Sequence, residues 1–418
     1  MKILIYSSNP TDFDGKIMHH CNYPSNTSFW NDFLKKNPQI ELIFVTQLPG
    51  MFLLDTDNNK LTEFSDKIKY KILAKNAKID DFVQKIEEEK PQKIICLSFW
   101  LPPFDWHSVQ DSVIGEILKS HGYEVFCHPL NTAEICFDKY ETHNFLKSRN
   151  FNVADGIYVN HEMFWAERNR HEIQENVYKN AVFYKIKNLK LPLVIKDTRG
   201  LSSFGMEVCK TYGEVKNFLM SKKNNSDRLV EEFIDGIQFG TEIYAFGENL
   251  EIFSPFLFSV NQYGITSPKQ SIKIGPVDNE KYKITELKTE LGRLAKELKL
   301  NGVAQVDLVF KDGKWYIIEI NTRLSGMTEI IKASRGTNQT LIAIKLPVLS
   351  AEELEKLKSL PYIIHINQIV NDAALQRREE GYCEIIIERS ALQTFKDNFP
   401  NLIDPVFYQK TKDLEKLL

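Results

Sequence analysis

Short apolar runs alternate with longer periodic stretches over the first 130 residues. KILIYSS, ELIFVTQ, KIICLSF and EVFCHPL are rich in Ile, Val and Phe and read as buried strands. Between them, IDDFVQKIEEE and SVQDSVIGEILKSHG carry helical spacing. In the second, Val109, Val113, Ile114, Ile117 and Leu118 share one face, and Gly122 closes the helix. Strands separated by helices predict a doubly wound parallel sheet in residues 1–130. A dinucleotide site wants GxGxxG straight after the first strand, and SSNPTDFDG stands there instead, which disfavours NAD.

Beyond residue 130 the pattern changes. NTAEICFDKYETHNFLKSRNF reads as a loop followed by a helix from about Asp138. LPLVIK, RLVEEFI, TEIYAFG, LEIFSPFLFSV and VAQVDLVFKDGKWYIIEIN read as strands with polar turns between them. Ile284, Leu287, Leu291, Leu294 and Leu298 recur at spacings of three and four, a helix laid on a sheet and ended by Asn301-Gly302. Asp312-Gly313 turns VDLVFKDGKWYIIEI into a hairpin. Residues 346–418 hold a Leu/Glu/Lys helix and the strands YIIHINQIV and CEIIIERS, which predict a small accessory subdomain.

A chain of 418 residues is too long for one ordinary core. Hydrophobic content of 43% and charged content of 26% are those of a soluble globular protein, and a net charge of −3 argues against a nucleic-acid surface. No apolar run reaches the roughly 20 residues that cross a bilayer. MKILIYSSNP turns polar too early for a signal peptide, so the expected location is cytoplasmic. Six cysteines without a CxxC pair read as reduced core thiols, and the MHHCN cluster lacks partners for a zinc site.

The candidate chemistry begins in the hairpin. Glu319 and Asn321 share a strand face, and Asp307 and Glu319 lie six residues either side of Gly313, near partners across the hairpin. Two carboxylates and an amide on one face suit Mg²⁺, or else form the wet side of an amphipathic hairpin. VIKDTRGLSSFGMEV ends a strand in Lys196 and continues into a loop with Gly200, Ser202, Ser203 and Gly205, which either wraps phosphate oxygens or is a plain turn. VEEFIDG offers Glu231 and Glu232, and Asp138-Lys139 stands at a helix start. Lys269 and Lys273, in YGITSPKQSIKIGPV, face an acidic group or stand in a solvated loop.

The order DK, VIKxxxGxSSxGM, EEFI, VDLV, EIN resembles the ATP-grasp superfamily, most closely its D-alanine–D-alanine-ligase-like carboxylate–amine ligases. The likeness runs from about Asn131 to Gly336, and EINTRLSGMTE is its most specific stretch. It implies an α/β (α+β) ATP-grasp fold: a pre-ATP-grasp domain (1–130), an ATP-grasp domain (131–345) with a nucleotide lobe (about 138–236) and a metal lobe (about 237–345), and the accessory piece. Lys139 and Lys196 would contact ATP phosphates, and Ser202, Ser203 and Gly205 would cover them. Glu231 would accept from the adenine amino group, with backbone of Glu232 and Ile234 at the ring edge. Asp307, Glu319 and Asn321 would hold two Mg²⁺ ions, with Mn²⁺ as a substitute. Lys196, Ser202 and Arg323 would form the catalytic set, Arg323 stabilising transferred phosphoryl charge.

The departures are specific. Gln238 replaces the ribose-contacting acid, Gln305 replaces the arginine before the metal aspartate with Arg199 a second source of positive charge, and Glu329 replaces a serine run. SFWLPPFDWHSVQDS lacks the D-alanine-ligase signature. The implied activity is an ADP-forming ligase joining a small-molecule carboxylate to an amine through an acyl phosphate, with amino acids as the default substrates, no nucleic-acid or membrane partner, and a homodimer by family habit. A biotin-carboxylase-like enzyme and a catalytically silent ATP-binding regulator are the rivals.

Overall fold

The computed structural model describes residues 1–9, 17–20, 26–47, 54–55, 60–61, 67–98, 106–170, 172, 174–200, 205–261, 263–266, 270–327, 330–331, 334, 363–369, 382–400 and 403–418. In the N-terminal part the strands are β1 (Lys2–Tyr6), β2 (Ile17–His20), β3 (Glu41–Gln47), the short β4 (Leu54–Asp55) and β5 (Lys60–Leu61), β6 (Ile68–Leu73), β7 (Lys93–Cys96) and β8 (Val125–Phe126). A five-stranded parallel sheet runs β6-β3-β1-β7-β8, as the alternating pattern predicts. Side chains leave β1 alternately. Ile3 and Ile5 pack towards Trp30 and Phe33 of helix α1 (Asn26–Lys36), while Leu4 and Tyr6 meet α2 (Ile79–Glu89) and α3 (Trp106–Ser120). Strand β6 escapes sequence reading because IKYKIL is an edge strand whose lysines break the apolar run.

The stretch expected as a loop before Asp138 is helical: α4 (Leu130–Phe137) and α5 (Lys139–Ser148) abut, with Asp138 as the N-cap of α5. Pro129 opens α4, and Ala133 and Cys136 bury its inner face, so tertiary packing overrides a weak local signal. Four antiparallel strands follow in the order β11-β10-β12-β9: β9 (Gly156–Val159), β10 (Leu193–Asp197), β11 (Glu207–Cys209) and β12 (Arg228–Glu232). Helices α6 (His161–Phe164), α7 (Ala166–Asn169), α8 (Val177–Ile186) and α9 (Tyr212–Leu219) accompany it, and Phe164, Val182 and Phe218 share its core.

The largest sheet has nine strands. It contains β13 (Ile237–Phe246), β14 (Asn249–Ile252), β15 (Phe256–Phe258), β16 (Ser271–Gly275), β17 (Gly302–Lys311), β18 (Lys314–Asn321), β19 (Ile363–Ile369) and β20 (Tyr382–Glu388), with β2 at its far edge. LEIFSPFLFSV, expected as one strand, breaks at Phe253–Pro255, where proline removes a ladder donor. The segment read as a loop around Lys273 contains strand β16. Helix α10 (Ile284–Glu297) lays Leu287, Leu291 and Leu294 on Ile243, Leu257 and Val306. Each such leucine contributes about 1.5–3 kcal/mol. The last strands extend this same sheet through β16, and helices α11 (Leu392–Asn398) and α12 (Pro405–Glu415) cover their outer face. Among the described residues no helix is long and apolar enough to cross a membrane.

His128 bolts the first sheet to the largest one. Its Nε2–H donates to the Val303 carbonyl at 2.9 Å, and Nδ1 accepts from the Asn301 N–H at 3.1 Å. A backbone N–H can only donate, so this geometry requires the neutral ring. Burial lowers the His128 pKa to about 4, against a partial upward pull from the Val303 bond. The folded value lies below the unfolded one, so this contribution is complete above about pH 6.5 and is lost as the pH falls towards 4. Urea titrations between pH 7 and 4 are expected to show a fall of up to about 1.4 kcal/mol per pH unit from this group. His128→Gln will be less stable at pH 7 but will lack that component of the slope. Equal slopes in both proteins would remove the assignment.

Candidate active site

A two-residue turn at Asp312-Gly313 pairs Lys311 with Lys314, Phe310 with Trp315 and Leu308 with Ile317. Continued unbroken, that register would set Asp307 opposite Ile318 and turn Glu319 to the other face. A β-bulge between Asp307 and Leu308 absorbs one residue, so Asp307 faces Glu319 and Gln305 faces Asn321. The trace of the bulge is visible in WYIIEIN: Trp315 and Ile317 are buried at odd positions, then Ile320 at an even one. The result is a polar row, Asp307, Glu319, Asn321 and Gln305, on a sheet whose opposite face carries Val306, Leu308 and Ile320 into the core under α10.

This row is charge-strained. Burial and then the charge of Glu319 raise Asp307 to about 7, while Gln305 Nε2 donates to its Oδ1 at 2.9 Å. Burial would raise Glu319 too, but the charges of Lys139 and Lys196 and a hydrogen bond from Lys139 lower it overall. Two hard oxygen donors facing each other with an amide oxygen beside them match a Mg²⁺ donor set in kind. Among the described residues no group of three or more His, Cys, Asp or Glu side chains is placed to hold a metal ion, so the row would complete a metal's shell with water or substrate oxygens.

Three distant motifs converge here. Lys139, the first residue of α5, places Nζ 3.0 Å from Glu319 Oε1 and donates to the Gly200 carbonyl at 2.7 Å. The DK, VIK-loop and EIN signals therefore meet at one ammonium group. Lys196 lies buried on β10, and its Nζ is 2.5 Å from Glu231 Oε1 on the neighbouring strand. His143 Nδ1 lies 4.0 Å from the other Glu231 oxygen. Glu231 is thus held by a lysine in this structure, so an adenine amino group would share it. Arg323 is buried and donates from Nη2 to Asn321 Oδ1 at 3.1 Å. A small cleft is lined by Ser108, Cys136, Phe137, Lys139, Gly200, Glu319, Asn321 and Thr322.

Other expected residues have partners of their own. The Glu232 side chain accepts from the Lys190 N–H, and the Glu232 N–H is spent on the Asp155 carbonyl. Ile234 is half-buried on the connection from β12 to β13. Gln238 donates to the Gly264 carbonyl and accepts from Thr266, so its amide serves the turn after β15. Arg199 pairs with Asp138, the α5 cap, at 2.9 Å. Gly205 adopts φ +73°, and its carbonyl faces Arg228, which pairs with Asp197 at the other stem of the loop. Lys273 is anchored on a strand, with Nζ 3.3 Å from the Gly326 carbonyl. Ser202, Ser203, Lys269 and Glu329 lie outside the described residues.

Sequence reading missed the polar start of α3. Ser108, Asp111 and Ser112 are buried there, and Asp111 accepts from the Ser8 N–H and from Ser98 Oγ at the ends of β1 and β7. Burial raises Asp111 to about 6. Ser98 carries the carbonyl that receives the Leu324 N–H at 2.8 Å, which ties the segment after β18 to the first sheet. The signal is S-x-x-D-S, polar residues on the buried face of a helix that an apolar stripe does not reveal.

Two consequences are measurable. Asp307→Asn removes a buried charge that faces Glu319 and is only partly offset by Arg323 and Lys273, so in EDTA the variant is expected to unfold at a higher temperature than the parent, while added Mg²⁺ stabilises only the parent. A Cβ on Gly240, which pairs with Asp307, would lie 2.2 Å from Phe258 Cζ. Gly240→Ala is therefore expected to cost about 1–3 kcal/mol in a denaturation titration, and an unchanged midpoint would show that Phe258 yields freely.

Known proteins resemble this chain over the segment that holds these residues. The ATP-grasp domain family model matches residues 136–327. A D-alanine–D-alanine ligase of Clostridium perfringens is 26% identical over 292 residues, 68% of this chain and 87% of that protein. A carbamoyl phosphate synthase large chain of Halomonas eurihalina is 23% identical over 167 residues, 39% of this chain but only 15% of its own length. Among solved structures, an L-amino acid ligase from Bacillus licheniformis superposes with a TM-score of 0.61 at 15% identity, covering 96% of this chain and 97% of that one. Residues 136–327, which carry both lysines and the facing carboxylates, belong to the ATP-grasp superfamily, and the chain has the ATP-grasp fold.

Proposed function

We propose that this protein is an ATP-dependent, ADP-forming carboxylate–amine ligase that joins amino acids or small carboxylic acids. The observation that carries the reading is the facing Asp307–Glu319 pair with Lys139 bound to Glu319 and Arg323 behind Asn321, of which Lys139, Glu319 and Asn321 border one cleft. Cationic side chains around a cation-seeking carboxylate pair suit a polyphosphate, because phosphoryl transfer is catalysed by positioning and charge neutralisation. The chain also spans most of the length of the D-alanine–D-alanine ligase it resembles and of the L-amino acid ligase whose fold it shares.

In this reading Asp307, Glu319 and Asn321 hold two Mg²⁺ ions, with Mn²⁺ an acceptable substitute. When bound, the ions neutralise phosphate charge. Lys139 and Lys196 leave their carboxylate partners to bind phosphate oxygens. A substrate carboxylate oxygen attacks the γ-phosphorus, the bond to the bridging oxygen breaks, and ADP departs. Arg323 holds charge on the transferring group. An amine then attacks the acyl carbon of the acyl phosphate, inorganic phosphate leaves, and an amide remains. Ser202 and Ser203 cover the phosphates, Glu231 and the backbone of Glu232 and Ile234 receive the adenine, and Gln238 meets the ribose. The enzyme works as a homodimer on small molecules in the cytoplasm.

The test is product analysis by mass spectrometry with MgATP and pooled amino acids and simple carboxylic acids. ADP, phosphate and a mass equal to two substrates minus water are expected. AMP and pyrophosphate would replace the reading with an adenylating mechanism. Lys196→Ala and Glu319→Ala are each expected to lower turnover by at least about 100-fold while both variants remain folded, Lys196→Ala with a lower unfolding midpoint because it strands Glu231.

A further inference from the structure

Beneath the cleft lies a carboxylate that none of this chemistry uses. Glu242 is fully buried on β13 and pairs in register with Gln305, which pairs with Asn321. It therefore occupies the row next to Gly240, Asp307 and Glu319 on the same sheet face. Its surroundings are apolar: Tyr244, Phe253, Phe256, Leu324 and Met327 belong to one buried cluster. A carboxylate in such a place is costly unless its oxygens are hydrogen-bonded.

Both oxygens are occupied. Oε1 accepts from Ser325 Oγ at 2.5 Å, and Oε2 accepts from the Tyr244 hydroxyl at 2.9 Å. Ser325, itself fully buried, accepts in turn from the Met327 N–H at 3.0 Å. The turn Arg323–Met327 is fixed at its other points by the Ser98 carbonyl on Leu324, by Lys273 on the Gly326 carbonyl, and by Asn321 on Arg323. Of these anchors, Glu242 alone grips the turn from beneath through a side chain that is wholly out of water. Burial raises its pKa to about 7, while the Ser325 and Tyr244 bonds and the charges of Arg323 and Lys273 pull it back. The two cations bear on Glu242 and hold the same turn.

We propose that Glu242 is a positioning residue for ligation: through Ser325 it fixes the turn Arg323–Met327, and so the Arg323 guanidinium, against Asn321 at the wall of the cleft. The proposal rests on reading that cleft as the phosphoryl-transfer site. A rigid seat matters because small misplacements of a charge-stabilising group cost much of its effect. A leucine here would fill the space at lower cost, but it would leave the Ser325 hydroxyl and the turn without their buried acceptor.

The experiment compares full-length parent, Glu242→Gln, Glu242→Ala and Ser325→Ala. Glutamine keeps an acceptor for Ser325 and loses the charge, so it is the rescue variant. Three readouts are taken: Kd for a non-hydrolysable ATP analogue with Mg²⁺, amide hydrogen exchange of the peptide holding Leu324 and Met327, and phosphate release with MgATP and a pooled amino-acid mixture. Glu242→Ala and Ser325→Ala are expected to keep analogue affinity within a few-fold, to exchange the Met327 amide faster, and to lose about 100-fold in kcat. Glu242→Gln is expected to restore protection and most of kcat. If Glu242→Ala fails to fold, Ser325→Ala and Glu242→Gln decide the matter. Parental exchange and kcat in Ser325→Ala, or a kcat loss in Glu242→Gln equal to that in Glu242→Ala, would overturn the proposal. A parent that releases no phosphate from the pool would count against the ligase reading, and the exchange data would then test the positioning role alone.

Discussion

Two carboxylates, Asp307 and Glu319, face one another across a hairpin, and the rest of the molecule is arranged around that repulsion. A like-charged pair on partly buried strands is unfavourable at about the scale of a whole ion-pair interaction. The fold compensates from three directions. Lys139 arrives from the start of α5, Gln305 donates from the same strand, and Arg323 follows on the chain just beyond. Gln305 shares β17 with Asp307, whereas Lys139 and Arg323 are brought by other parts of the chain. The site thereby sets carboxylates and cationic side chains side by side, the combination that suits a metal cation bound together with a phosphate.

The three sheets meet where that balance is struck. The four-stranded sheet supplies Lys196 and Glu231, the largest sheet the carboxylate row, and the first sheet its strand ends with Ser8, Ser98 and the polar start of α3. His128 and the Ser98 carbonyl tie the first sheet to the largest by bonds that tolerate little displacement. Ligand sites of α/β sheets lie outside the carboxyl ends of the strands, and here Leu324, just after β18, bonds to the Ser98 carbonyl at that end of the first sheet. Beneath the cleft, Glu242 is held by hydrogen bonds from Ser325 and Tyr244.

Much of this was legible in the sequence. Alternating short apolar runs gave the parallel sheet because buried parallel strands cannot alternate polar residues, and the exception, β6, is the edge strand that can. The Leu287, Leu291 and Leu294 stripe gave α10 for the same reason of one-sided burial. The pairing of Asp307 with Glu319 was also anticipated, although counting residues either side of Gly313 gave the right partner without the bulge that produces it. The Lys273 strand and the α4 helix were not legible, since both depend on neighbours from elsewhere in the chain.

What the sequence determined by itself was therefore local and periodic: which residues face a core, where helices end, and which acids and lysines stand on strands. The tertiary structure decided the rest. It set Lys139 against Glu319, gave Glu231 to Lys196, and made Glu242 a buried anchor instead of one more acid on an amphipathic strand. The physical reason is that a charged side chain's role is fixed by which partners and how much water surround it, and both come from chain segments separated from it by tens to hundreds of residues.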